Sequence, residues 1–158
     1  MTEKKKRVIN TYSHRFNYSC EAIFKLLCPV REDDWIPGWR ERRKLVYSES
    51  GYAELGCVFA TTHQPHLMGP ATWVNNVYQP FEKIQYAAVN ENIVYQIQVD
   101  LKRLDTGCEA YLTRTWTALT AGAEEFLGGM QAEADPKAPD LYQLIDHYLA
   151  TGKMMGGH

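Results

Sequence analysis

Residues 120–151, TAGAEEFLGGMQAEADPKAPDLYQLIDHYLAT, decide how the rest of the chain is read. In the second half Leu141, Leu144, Ile145 and Tyr148 recur at i, i+3, i+4 and i+7, the spacing that lays one apolar stripe along an α-helix. In the first half Ala123, Phe126, Leu127, Met130 and Ala134 follow the same rule. The eleven residues from Met130 to Leu141 are about three helical turns, so the stripes stay in phase and predict one long or once-broken C-terminal helix. Pro136 and Pro139 lack a backbone donor and crowd the preceding turn, which places any break at 134–139. Gly128 and Gly129 cost a helix interior about 1 kcal/mol each relative to Ala, a cost best explained by close approach of a sheet or a ligand.

Working outward, the segment before this helix has the pattern of strands. Six are expected at 44–48, 56–62, 72–78, 83–88, 93–104 and 108–119, separated by turn residues such as Ser50-Gly51, Pro80 and Asn90-Glu91-Asn92. Connections this short force antiparallel neighbours. In 93–104 the apolar Ile93, Tyr95, Ile97, Val99 and Leu101 alternate with Gln96, Gln98 and Asp100, so one face is wet and the other must meet the C-terminal helix. Across Asp105-Thr106-Gly107, a three-residue loop with Gly107 left-handed pairs Leu104 with Cys108. That register puts Tyr111, Thr113 and Thr115 on the covered face and Arg114 and Trp116 on the other, and a slip of one residue reverses the assignment.

Toward the N-terminus, Val8, Ile9, Thr11, Tyr12 and Phe16 predict a first strand at 7–16. Ser19 can cap a helix bearing Ala22, Ile23, Leu26 and Leu27 that ends at Pro29. Residues 28–39 predict a second short helix and a Pro37-Gly38 bend carrying Trp35 and Trp39. Two rings on such a bend either plug the end of a core or line the mouth of a pocket.

With 158 residues the chain suits one domain, 1–158, with room for a core and a cavity. A formal charge of -2 and a pI near 6.2 offer nucleic acid no global attraction, and the run Lys4-Lys5-Lys6-Arg7 reads as a solvated strand end. Neither a membrane-spanning apolar run nor a secretion signal is legible, so a cytoplasmic protein without integral membrane association is expected. Cys20, Cys28, Cys57 and Cys108 form no Cys-x-x-Cys pair and are expected to be reduced, semi-buried thiols.

The order of one strand, two short helices, six antiparallel strands and a long terminal helix resembles the helix-grip fold of the START-like, or SRPBCC, superfamily. That superfamily joins lipid-transfer domains, birch-pollen-allergen-like proteins and polyketide cyclases. The stretch 19–27 resembles its first helix, Trp73-Val74 through Pro80 and on to 81–89 its middle strand pair, and Thr113-Arg114-Thr115-Trp116 its last strand. The resemblance implies an α+β fold in which a curved antiparallel sheet of seven strands grips the long C-terminal helix around an elongated, largely apolar cavity. It implies no particular substrate, since members include carriers, sensors, cochaperone domains and a few enzymes.

The residues spell out no catalytic machinery. His63 and His66 share a Pro-containing loop without further metal ligands, so they are read as ordinary loop histidines, and neither a metal nor a cofactor is expected. Glu124, Glu125, Asp140 and Asp146 occupy helix starts or solvent-side positions, and no phosphate loop or nucleophile motif occurs. His147, beside the apolar stripe, is either a boundary residue or a group that hydrogen-bonds a ligand or moves a proton. Arg114, near Trp116, is either a surface partner of Asp100 or a holder of a ligand carboxylate. Tyr86, Tyr95 and Trp73 are core aromatics or orienting donors.

The expectation is therefore a protein that binds a small hydrophobic or aromatic molecule between sheet and helix, with apolar burial of roughly 25 cal/mol per Å2 supplying affinity. The cavity candidates are Trp35, Trp39, Trp73, Tyr86, Tyr95, Ile97 and Tyr111, with Arg114, Met130, Leu144 and His147. Two alternatives stand beside it: an enzyme of the polyketide-cyclase kind using the same cavity, and an interaction domain presenting Trp35 and Trp39 to a protein. No nucleic-acid partner is expected, and monomer and homodimer both stay open.

Overall fold

Ten residues of strand character open the chain as β1 (Arg7–Phe16) in the computed structural model, which describes residues 3–132 and 141–156, with the backbone alone at 131 and 132. Three residues past the strand, Ser19 caps α1 (Cys20–Leu26), its Oγ accepting from the Ala22 amide at 3.2 Å while Glu21 sits in the positive first turn. A 3-10 turn (Arg31–Asp34) and α2 (Trp39–Arg42) follow. The remaining strands are β2 (Arg43–Tyr47), β3 (Val58–Gln64), β4 (Gly69–Gln79), β5 (Lys83–Val89), β6 (Ile93–Leu104) and β7 (Gly107–Ala118). Two helices complete the described chain, α3 (Ala121–Ala132) and α4 (Leu141–Thr151).

All seven strands form one antiparallel sheet in the order β1-β7-β6-β5-β4-β3-β2. Six of them make a meander, and β1 returns to pair with the last strand. Register shifts at Leu45/Tyr47, Thr61/Gln64 and Asn75/Val77 bend the β2 to β5 half. The α+β helix-grip architecture expected from the element order is therefore present, with two short helices after the first strand. The predicted helix break at 134–139 and the stripe residue Ala134 lie outside the described residues.

Because antiparallel neighbours stand directly opposite one another, the inner face is organised in rows that cross the sheet. One row runs Phe59, Trp73, Ala88, Tyr95, Trp116, Val8. The next holds Tyr86, Ile97 and Arg114, and a third holds Ile84, Val99, Leu112 and Tyr12. Ala88, between Trp73 and Tyr95, is the small residue that leaves space for the rings on either side. In α4 the fully buried residues are Tyr142 and Ile145, flanked by half-buried Leu141, Leu144 and Tyr148. The helix therefore turns its Tyr142 edge inward more than the stripe suggested.

Two expectations are corrected. The β6–β7 connection is a two-residue turn, Asp105-Thr106, in which Leu104 pairs with Gly107 and Arg103 with Cys108. Gly107 is thus the first residue of β7 rather than a left-handed turn residue, and the one-residue slip brings Arg114 and Trp116 to the covered face and sends Tyr111 outward, 40% exposed. Gly107 answers a different demand: a methyl group there would collide with the Phe16 carbonyl oxygen. The second correction concerns the thiols. Cys20 of α1 and Cys108 of β7, 5.1 Å apart at Cα, form a disulfide, whereas Cys28 and Cys57 are free and buried. Their separation of 88 residues hid the pairing, which exists because α1 lies over the start of β7.

No described helix is long and apolar enough to cross a membrane. The close approach of β1 to the β6–β7 turn yields a direct prediction. Gly107→Ala should lower stability by about 1–3 kcal/mol through overpacking against backbone that cannot yield. Urea midpoints of the two proteins measure it, and an unchanged midpoint would show that the Phe16 carbonyl is not where the structure has it.

Candidate ligand cavity

Between the concave face of the sheet, the α1–α2 segment and α4 lies a cavity of about 490 Å3. Its floor is the three cross-strand rows, and its aromatic content follows from their register. Phe59 and Trp73 stack with centroids 5.3 Å apart, Tyr95 meets Trp73 edge-on at 5.7 Å, and Trp116 lies 5.1 Å beyond Tyr95. The Trp73 indole donates to the buried Thr61 hydroxyl at 3.0 Å, and the Tyr86 hydroxyl donates to the Leu27 carbonyl at 2.8 Å, so both rings are held by their polar tips.

The segment between α1 and β2 closes one side. The Trp35 indole donates to the Leu26 carbonyl at 2.9 Å and the Trp39 indole to the Pro29 carbonyl at 2.8 Å. The Asp33 carboxylate bridges to Arg43, and the Glu32 amide donates to the Cys28 carbonyl at 2.8 Å. Trp35 is 1% and Trp39 7% exposed, and both line the cavity. They therefore present no external patch, which removes the basis of the interaction-domain alternative. From the opposite side α4 contributes Leu141, Tyr142 and Ile145, with Tyr142 packed edge-on against Tyr12 and Phe16 of β1. The His14 and Asp146 side chains meet at 2.6 Å and tie the same helix to β1.

Among the sequence candidates, Trp35, Trp39, Trp73, Tyr86, Tyr95, Ile97 and Arg114 line the cavity. Four do not. Tyr111 points to the outer face because of the register described above. Met130 packs against the core, and Leu144 and His147 are half-buried on flanks of α4 that the Tyr142–Ile145 edge displaces from the cavity. Arg114 has no tie to Asp100, which pairs instead with Lys83 at 3.3 Å and takes a hydrogen bond from Gln98. Its Nε donates to the Tyr95 hydroxyl at 2.9 Å, and its guanidinium lies 4.8 Å over the Trp116 ring.

The structure adds to the cavity Glu32, Arg42 and Gln64, which the sequence reading passed over, and His66, which that reading has as an ordinary loop histidine. A signal for Glu32 existed, since Glu32, Trp35, Ile36 and Trp39 recur at i, i+3, i+4 and i+7 and all four face the cavity. His66 had none, being placed by tertiary contacts. Its 3-10 turn (Pro65–Leu67) ends on Met68 at φ 59, Asn90 Nδ2 donates to the Leu67 and Pro70 carbonyls, and the Trp116 indole donates to the His66 carbonyl.

These groups have unusual protonation. Burial pushes the Glu32 carboxyl up to about 8, the Asp33 carboxylate adding to the rise and Arg43 opposing it, so at neutral pH the carboxyl keeps its proton. Burial also holds the His66 imidazole down to about 3, with the charges of Arg114 and Arg42 working in the same direction. Burial raises the Tyr95 phenol, with Arg114 pulling the other way. Among the described residues no cluster of three or more metal-ligating side chains occurs. The cavity can therefore hold an apolar body, donate hydrogen bonds from neutral groups and meet an anion at Arg114.

No protein-family model and no curated protein matches the sequence. Solved structures do match its shape. The structure of norcoclaurine synthase from Thalictrum flavum is similar over 92% of this chain and 87% of its own, with a TM-score of 0.64 at 10% identity. Its complex with dopamine and hydroxybenzaldehyde is similar over 92% of this chain and 90% of its own, with a TM-score of 0.62 at 12% identity. Ara h 8.0201 is similar over 92% and 99%, with a TM-score of 0.62 at 12% identity. Identities this low speak for architecture alone. On the order, pairing and layering of its elements, the chain has the helix-grip fold that proteins of the SRPBCC, or START-like, superfamily share.

Proposed function

We propose that this chain binds a small hydrophobic or aromatic molecule in the cavity between its sheet and α4. The observation that carries the reading is the 490 Å3 space floored by Phe59, Trp73, Tyr86 and Tyr95, in which the polar tips of the last three rings are already bonded to protein, Tyr95 through the Arg114 Nε that donates to its hydroxyl. A volume of that order is ordinary for a small-molecule site, and the walls offer apolar contact with a few placed polar groups. The complex of norcoclaurine synthase with dopamine and hydroxybenzaldehyde has the same fold and holds small aromatic molecules, which supports the same use here.

A neutral fluorescent arene such as N-phenyl-1-naphthylamine tests this directly. One probe should bind per chain with enhanced emission, and Ile97→Trp, which fills the floor from the second row, should weaken binding about tenfold with the far-UV circular dichroism unchanged. If the wild-type chain does not bind, or the Ile97→Trp variant binds equally well, the cavity is not a ligand site.

A second reading, an enzyme of the polyketide-cyclase kind working in the same space, is favoured by Glu32. A cavity carboxyl protonated at neutral pH can give its proton to a carbonyl oxygen and, once ionised, take one from carbon. The reading requires the raised carboxyl to exist in solution. Glu32 keeps its proton to about 8 in the fold and to about 4.5 when unfolded, so between these values the unfolded state binds fewer protons and stability falls as pH rises. Glu32→Gln escapes that loss. Its stability relative to wild type should climb by roughly 4 kcal/mol from pH 4.5 to pH 8 and level off on either side. Urea titrations across that range measure the difference, and a flat one removes Glu32 as a proton donor.

A further inference from the structure

The polar part of the cavity is lopsided. Arg114 engages Tyr95 through Nε alone, and its two terminal nitrogens make no hydrogen bond among the described residues. No carboxylate of those residues lies within ion-pair distance of it; the described ion pairs use other cations. Arg42 is in the same position. Its guanidinium donates to the Gly38 and Pro37 carbonyls at 3.0 and 3.2 Å and lies 5.9 Å from the Trp39 ring, and no carboxylate of the described residues pairs with it.

Two further groups face the same space. Gln64, only 5% exposed at the end of β3, has its Nε2 without a hydrogen-bond partner among the described residues, and so has the His66 Nδ1. The His66 ring lies 5.1 Å from Tyr95 and 6.3 Å from Trp116, the two rings that Arg114 engages, and Arg42 lines the same cavity. The cavity wall has a single acid among the described residues, Glu32, and its charge is suppressed at neutral pH. Among the described residues, two cations and two unsatisfied polar groups thus line one cavity without a charged counter-ion, an arrangement that an anion would complete.

We propose that the molecule bound in this cavity carries a carboxylate, received by the two terminal nitrogens of Arg114 with Gln64 and His66 beside it and Arg42 adding its charge. The inference rests on the cavity being a ligand site. The planar fork left by an Nε already committed to Tyr95 matches the two oxygens of a carboxylate. The ring-lined floor next to it suits an arene or another flat apolar body. The ligand class is therefore an aromatic or similarly flat hydrophobic carboxylic acid, with its acid end toward β7 and the His66 turn.

Matched probes separate the possibilities: 2-naphthoate, the neutral 2-naphthamide and 2-naphthyl phosphate, titrated calorimetrically at pH 7.5. The naphthoate should bind at least about tenfold more tightly than the amide. Arg114→Gln should erase that preference, and Gln64→Leu should reduce it without touching the Arg114–Tyr95 bond. Thermal melts accompany each variant, so that Gln64→Leu still reports if Arg114→Gln fails to fold. Equal affinity for acid and amide overturns the carboxylate site while the cavity reading stands. A phosphate bound more tightly than the naphthoate overturns the choice of carboxylate. If none of the three probes binds, nor the neutral arylamine, both inferences fall.

Discussion

Between Leu104 and Gly107 the chain reverses in two residues, and with that register Tyr95 stands opposite Trp116, Ile97 opposite Arg114, and Val99 opposite Leu112. Everything distinctive about the inner face depends on this pairing, because side chains alternate with period two and a shift of one residue would turn the whole of β7 over. The rows it creates continue through β5 and β4, so a single local reversal aligns rings that come from residues as distant as Phe59 and Trp116. The close passage of Phe16 over Gly107 and the Cys20–Cys108 bond hold the same end of the hairpin against β1 and α1.

A bent sheet with large residues in rows cannot be filled from within by its own side chains if helices stand off on both flanks. Here the α1–α2 segment leans on one flank through the Tyr86 hydroxyl that donates to the Leu27 carbonyl and the Asp33–Arg43 ion pair, and α4 leans on the other through Tyr142 and the His14–Asp146 contact. The space left between them is roofed by two elements whose attachments are polar and specific. That is how a chain of this size keeps a cavity of about 490 Å3 beside a packed core.

The charge in that space obeys one rule: burial suppresses any ionisation that lacks a partner. Glu32 and His66 both answer it by staying neutral, the one protonated and the other deprotonated. Arginine has no such escape, since its guanidinium does not give up its proton. Arg114 instead spreads its charge over the Trp116 and Tyr95 rings and one hydroxyl. The result is a site with fixed positive charge and adjustable neutral donors on an apolar floor, a combination suited to an amphipathic guest.

Local patterns sufficed for the elements. The alternation in 93–104, the cap at Ser19, the turn residues between strands and the stripe around Ile145 are all short-range features, and each element they predict is present. Four of the cavity residues, Trp73, Tyr86, Tyr95 and Ile97, were also legible, because large apolar side chains on the covered face of a strand have few other places to go. The hairpin register was not legible: Asp105-Thr106-Gly107 fits a two-residue or a three-residue loop equally well, and the choice rests on how β1 crosses Gly107. Nor could sequence pair Cys20 with Cys108, bring His66 from its loop to the ring of Tyr95, or show that Trp35 and Trp39 face inward. Those facts depend on which surfaces meet when the sheet curls, and contacts between residues tens of positions apart leave no periodic trace in the chain.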